Sequence, residues 1–155
     1  MLSSMLGRGF FLGTVFGVPI RIDYSWLVIA FLLTASLSLV FGQEYPYLGL
    51  PSRVLLGISG SLLLFGSVLA HELSHAVVAI RHRVGIRGIT LFIFGGAAEM
   101  VDEPRTARAE LEIAVAGPAM SLSLALVFGG LHYAGLGVAP LPLVDLADRL
   151  KWMNL

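Results

Sequence analysis

The sequence contains no cysteine, which excludes a disulfide framework and every thiolate metal site or cysteine nucleophile. Any metal must be held by His, Asp or Glu. Charge is also scarce, at 13% of 155 residues, where soluble domains carry about 25%. A chain with so few charges cannot cover a globular surface with polar groups, so lipid is expected to solvate much of it. The formal net charge is zero, and no basic patch or phosphate-cradling loop is visible, so nucleic acid is not expected as a partner. No short apolar core followed by a small-residue cleavage pattern opens the chain. The glycine-punctuated stretch from Gly7 to Gly17, interrupted by Arg21 and Asp23, is therefore not read as a cleavable signal.

What is abundant is apolar sequence, 57% of the chain, with a mean hydropathy of +0.88. Residues 24–41 carry no charge and are long enough to cross a bilayer, with Tyr24 and Trp26 suited to its interface. A polar, proline-bearing stretch at 42–53 ends that span. Residues 54–80 form a second candidate span and 111–133 a third, while 135–142 is too rich in Gly and Pro to continue it. Apolar residues resume near Leu143, the expected start of a fourth span. The fold class expected is thus an α-helical polytopic membrane protein, with three complete transmembrane helices and the beginning of another. Two further apolar segments, FFLGTVFGVPIRID (10–23) and IRGITLFIFGGAAEMV (86–101), are β-branched, aromatic and broken by Gly or Pro. They fit membrane-associated strands or hairpins, or else loops packed on the helices.

Arg8 and Arg21 precede the first span, and Arg81, Arg83, Arg87, Arg105 and Arg108 lie between the second and third. Two spans separate these regions, so they share one face, opposite Arg53. By the positive-inside rule that face is cytoplasmic, together with the N-terminus.

His71-Glu72-Leu73-Ser74-His75 lies inside the second span. On a helix, residues four apart share a face, so the two imidazoles can hold one ion with Glu72 beside it. Zinc brings a bound water towards a pKa of about 7 and polarises a carbonyl, and Glu72 is placed to move the water's proton. With four His and six Glu, the pattern arises by chance on the order of 0.004 times per chain of this length. Ionisable groups within an apolar span are costly and mark function by default. The competing readings are a polar cluster without metal, and an ion pathway in a transporter subunit. His75 stands about five residues, or ~8 Å, from the cytoplasmic end of its helix, within reach of water. His82 and His132 lie at span ends and are read as interfacial.

At this point the sequence resembles the site-2 protease family of intramembrane zinc metalloproteases, in its prokaryotic branch. HELSH is one of four segments that carry the resemblance. FGVPIRIDYSW is similar to the family's membrane-associated strand leading into the first helix. FIFGGAAEM is similar to its Gly-Gly-x-Ala-x-Met strand, and AGPAMS to its Ala-Gly-Pro motif. The resemblance implies Zn2+ held by His71 and His75, Glu72 as general base, and cleavage of a transmembrane helix of a membrane protein substrate. It also implies residence in a prokaryotic cell membrane, with the active-site end cytoplasmic. Gly95 and Gly96 are candidate substrate-binding positions on a strand edge, or simply make a turn. Ala114, Gly117 and Ala119 are read as small residues for close helix packing, with Pro118 bending the third span. Many relatives have Asn where this chain has Ser121, so no polar substrate contact is carried over to it.

The family's third ligand is an aspartate in a later Asn-Leu-x-Pro…Leu-Asp-Gly motif, which does not occur here. The closing Trp152-Met153-Asn154-Leu155 resembles the approach to it, so truncation before the third ligand is the expectation. Asp145 and Asp148 lack the motif's context and are read as interfacial, and Glu99 and Asp102 fall in another family segment. The alternative is a non-catalytic membrane scaffold or pseudoprotease.

Overall fold

The computed structural model describes residues 9–155; Arg8, counted above towards the basic face, lies outside them. Eight elements follow in order: strands β1 (Gly9–Val15) and β2 (Val18–Asp23), helices α1 (Tyr24–Glu44) and α2 (Leu50–Arg81), strands β3 (Ile86–Phe92) and β4 (Gly95–Met100), and helices α3 (Ala107–Gly135) and α4 (Leu141–Met153). The first three helices are long and apolar enough to cross a membrane. The chain is therefore a helical membrane protein with three candidate spanning helices, a shorter fourth helix and a small sheet.

The α1–α2 connection is tighter than the proline-bearing loop expected at 42–53. α1 runs on through Glu44 and α2 begins at Leu50. Pro51 falls in the first turn of α2, where its missing N–H has no helical partner to lose. Arg53 closes the short connection, donating from Nε to the Leu48 carbonyl (2.6 Å) and from Nη2 to that of Pro46 (3.0 Å).

The chain divides into two compact units. One holds the sheet, the second half of α2 and the first half of α3. Both segments read as strands or loops prove to be hairpins. The four strands lie in the order β1-β2-β3-β4, antiparallel within each hairpin and parallel between β2 and β3, where Ile20 faces Ile89. Phe16 (φ 50°) and Gly17 (φ 81°) turn β1 into β2, the double left-handed geometry that suits a two-residue hairpin. β2 and β3 are central and bury Val18, Ile20, Ile89 and Leu91. Val18, Ala76 and Ile89 form a core with Leu69 and Leu73, which fixes the sheet against α2. Ala79, Val84 and Ile113 join the end of α2 to α3. Phe10, Phe11, Leu12 and Phe16 are exposed on the first hairpin.

Asp23 caps α1, its Oδ1 accepting the Ser25 N–H at 2.8 Å. Hydrogen bonds from the Ser25 side chain, then from its backbone, hold the Asp23 carboxyl below the ordinary carboxylate pKa. The folded carboxylate is favoured, so this contribution is complete above the unfolded pKa near 4. It disappears as pH falls through the depressed value. Asp23→Ala is expected to cost about 1 kcal/mol in thermal or denaturant unfolding in detergent at neutral pH, with no further loss between pH 5 and 3 from this position.

The other unit contains the rest of α1, the first half of α2, the second half of α3, and α4. Its core is Leu37, Phe41, Leu56, Phe128, Leu146 and Leu150. A Cβ on Gly57 would meet Ser38 Oγ and the Thr34 carbonyl, so α1 and α2 cross closely there. Thr34 and Ser61 share a 3.1 Å hydrogen bond between the same helices. α4 opens at Pro140, with Pro142 in its first turn, and is tied to the end of α1 by Arg149–Glu44 (2.5 Å) and Tyr45–Asp145 contacts.

Candidate metal centre

Spacing along α2 puts His71 and His75 one turn apart on one face, and the structure makes their rings converge. Their Nε2 atoms are 3.1 Å apart, with ring centroids separated by 4.8 Å. Two Zn–N bonds of about 2.0–2.1 Å at a tetrahedral angle would place the nitrogens about 3.3 Å apart, so the pair fits one shared ion.

The tautomer of His75 is set by its other nitrogen. Nδ1 lies 2.6 Å from the Ile113 carbonyl on α3. A carbonyl only accepts, so Nδ1 carries a proton, which leaves Nε2 as the nitrogen that can present a lone pair on the side of His71. This orienting contact could not be found from sequence, because a backbone carbonyl has no residue signature.

Glu72 is half-buried and turns towards β4. A Cβ on Gly96 would overlap Glu72 Cγ and lie 3.2 Å from its Cδ, so only glycine lets that strand pass so near. Gly95 has φ 126° and opens β4 directly after the Ile93–Phe94 turn. The two glycines thus differ locally: Gly95 serves the turn, and Gly96 the close approach of β4 to Glu72. On α3, a Cβ at Gly117 would lie 2.5 Å from His71 Nε2 and in contact with His75 Nε2. Sequence reasoning assigned Gly117 to helix packing; it packs against the two imidazoles.

Among the described residues no third His, Asp or Glu joins this pair to make a three-ligand cluster. Asp145 is engaged by the Tyr45 hydroxyl, and Asp148 by Lys151 Nζ at 2.5 Å. Arg87 pairs with Glu99 at 3.7 Å. His82 Nε2 meets Glu112 at 2.7 Å and His132 Nδ1 meets the Val144 carbonyl at 3.1 Å, so both are occupied elsewhere. The chain's own donors therefore supply two imidazoles and an adjacent carboxylate. That set fits zinc in part, being two ligands of the three a catalytic site takes from protein.

Comparison with known proteins bears on the same residues. Residues 59–145, which include the whole HELSH segment, match Peptidase family M50. A Synechocystis protein that carries a provisional zinc metalloprotease name, sll0528, is 40% identical over 150 residues, 92% of this chain. Rip3 of Mycobacterium tuberculosis, also provisionally named a zinc metalloprotease, is 40% identical over 147 residues, 93% of this chain. The chain spans 38% and 37% of those relatives' lengths. The solved structure of a site-2 protease from Methanocaldococcus jannaschii superposes with a TM-score of 0.62 at 26% identity, covering 94% of this chain and 63% of that one. The overall fold is thus shared with a site-2 protease, and the chain belongs to Peptidase family M50.

Proposed function

We propose that this chain forms the catalytic half-site of an intramembrane zinc endopeptidase, with His71 and His75 as metal ligands and Glu72 as the general base. The observation that carries this reading is the 3.1 Å approach of two imidazole Nε2 atoms beside a half-buried carboxylate within an apolar helix. When bound, zinc would polarise the scissile carbonyl and acidify the attacking water. The Glu72 carboxylate takes the proton that water loses as its oxygen bonds to the carbonyl carbon. It then delivers that proton to the amide nitrogen as the C–N bond breaks. The Ile113 carbonyl keeps His75 in the tautomer that leaves Nε2 free to ligate.

Among the described residues β4 pairs with β3 on one side only and forms an edge of the sheet. An unwound stretch of a substrate's transmembrane helix would add to that edge as an extended strand, beside Glu72. The arginines between α2 and α3 favour a cytoplasmic position for this end of the helix, in a prokaryotic cell membrane. A non-catalytic scaffold that binds membrane helices is the second reading, favoured by the lack of a third ligand among the described residues.

Zinc per chain in detergent-purified protein, for the 155-residue chain and for a C-terminally extended form of it, separates these readings. Near-stoichiometric zinc in the extended form, with chelator-sensitive cleavage of a reconstituted transmembrane peptide, is the expected result. Zinc in neither would eliminate the peptidase reading, and zinc without cleavage in the extended form would favour the scaffold.

A further inference from the structure

We propose that Gly117 is a metal-clearance residue, whose missing side chain keeps open the volume that an ion shared by His71 and His75 would fill. The inference rests on the zinc-site reading above and adds a positioning residue on a different helix. A Cβ at position 117 would stand 2.5 Å from His71 Nε2 and 2.6 Å from His75 Cε1, and still nearer His75 Nε2. Ordinary carbon contacts lie at about 3.5–4.0 Å, whereas a Zn–N bond is about 2.0–2.1 Å. A methyl group there would occupy the mouth of the two lone pairs.

The rings cannot swing aside cheaply. His75 is anchored through Nδ1 to the carbonyl of Ile113, which lies four residues before Gly117 on the same face of α3. One face of α3 therefore does two things: a carbonyl at 113 orients the ring, and a bare Cα at 117 leaves room at its far nitrogen.

Helix propensity argues in the opposite direction. Inside a helix glycine is less favourable than alanine, so Gly→Ala should ordinarily stabilise. Gly66 in α2 and Gly130 in α3 show the ordinary case, since a Cβ at either meets nothing within 4 Å. They supply matched controls.

The test compares zinc retention of the full chain with Gly117→Ala, Gly66→Ala and Gly130→Ala, each purified in the same detergent. Gly117→Ala is expected to lower zinc affinity by at least about tenfold, the scale of a lost supporting contact, while both controls keep wild-type affinity. A second readout uses chelator-treated protein. Gly117→Ala should lower the Tm, and adding His75→Ala should relieve the clash, so that the double variant melts above the sum of the two single effects.

Wild-type zinc binding with unchanged affinity in Gly117→Ala would overturn this inference alone. No zinc in wild type, in the 155-residue chain and its C-terminally extended form alike, would overturn it together with the zinc-site reading. Should Gly117→Ala fail to fold, recovery of folding in the double variant supports the clash, and failure of both variants overturns it.

Discussion

Replacing Glu72 with glutamine is expected to leave zinc in place and to slow peptide cleavage by the C-terminally extended enzyme about 10²–10⁴-fold, the range of a lost general acid–base group. The substitution keeps the volume of the side chain beside Gly96, where β4 passes too closely for even a methyl group. It removes only the ability to accept and return a proton. Activity should be read as initial rate on a reconstituted transmembrane peptide, with zinc measured on the same preparation. Unimpaired cleavage by Glu72→Gln would take the general-base role away from Glu72. A fall in zinc to match the fall in rate would instead make Glu72 part of the metal's own binding set.

The second large effect is on the metal. His71→Ala and His75→Ala should each reduce zinc affinity by more than the roughly 10–100-fold that follows loss of a supporting contact, because each removes a direct ligand. His75→Ala also deprives the Ile113 carbonyl of its imidazole partner, a contribution of about 1 kcal/mol, and so should lower the Tm without metal. Asp145→Ala and Asp148→Ala should leave zinc unchanged, since Tyr45 and Lys151 already engage those carboxylates. Loss of zinc in either aspartate variant would identify a ligand that the geometry does not favour.

The helical part of this architecture was open to inspection in the sequence because it is written in one dimension. A predominantly apolar run of bilayer length becomes a helix, since backbone groups in hydrocarbon must be satisfied within the segment. Residues 24–41, 54–80 and 111–133 all fall within α1, α2 and α3. The hairpins were legible as apolar segments punctuated by Gly and Pro, although loops competed with them. Their joining into one sheet was not legible, because the parallel pairing of Ile20 with Ile89 depends on where two intervening helices return the chain.

The site shows the same division. The four-residue interval between His71 and His75 forecasts a shared helical face. Their convergence to 3.1 Å depends on side-chain rotamers and on a carbonyl from α3. Gly117 sits in a Gly-Pro pair inside a helix, a pattern equally consistent with packing, so the imidazoles it faces had to be seen in three dimensions. Gly95 and Gly96 look alike in sequence and differ in the fold, one with φ 126° after a turn and the other pressed against Glu72.

The parallel β2–β3 pairing has a consequence for biosynthesis. Ile20 and Ile89 are 69 positions apart (89 − 20), so at about 5–20 residues per second the inner edge of the first hairpin waits roughly 3–14 seconds for its partner strand. Throughout that interval the ribosome is still delivering α1 and α2, and the N–H and C=O groups of β2 on that side stay unpaired beside the membrane. The newborn hairpin should therefore be a client of insertion factors or interfacial water until Ile89 emerges. Nascent chains stalled before β3 should be more sensitive to protease within residues 9–23 than chains stalled after it, and equal sensitivity would remove the waiting step.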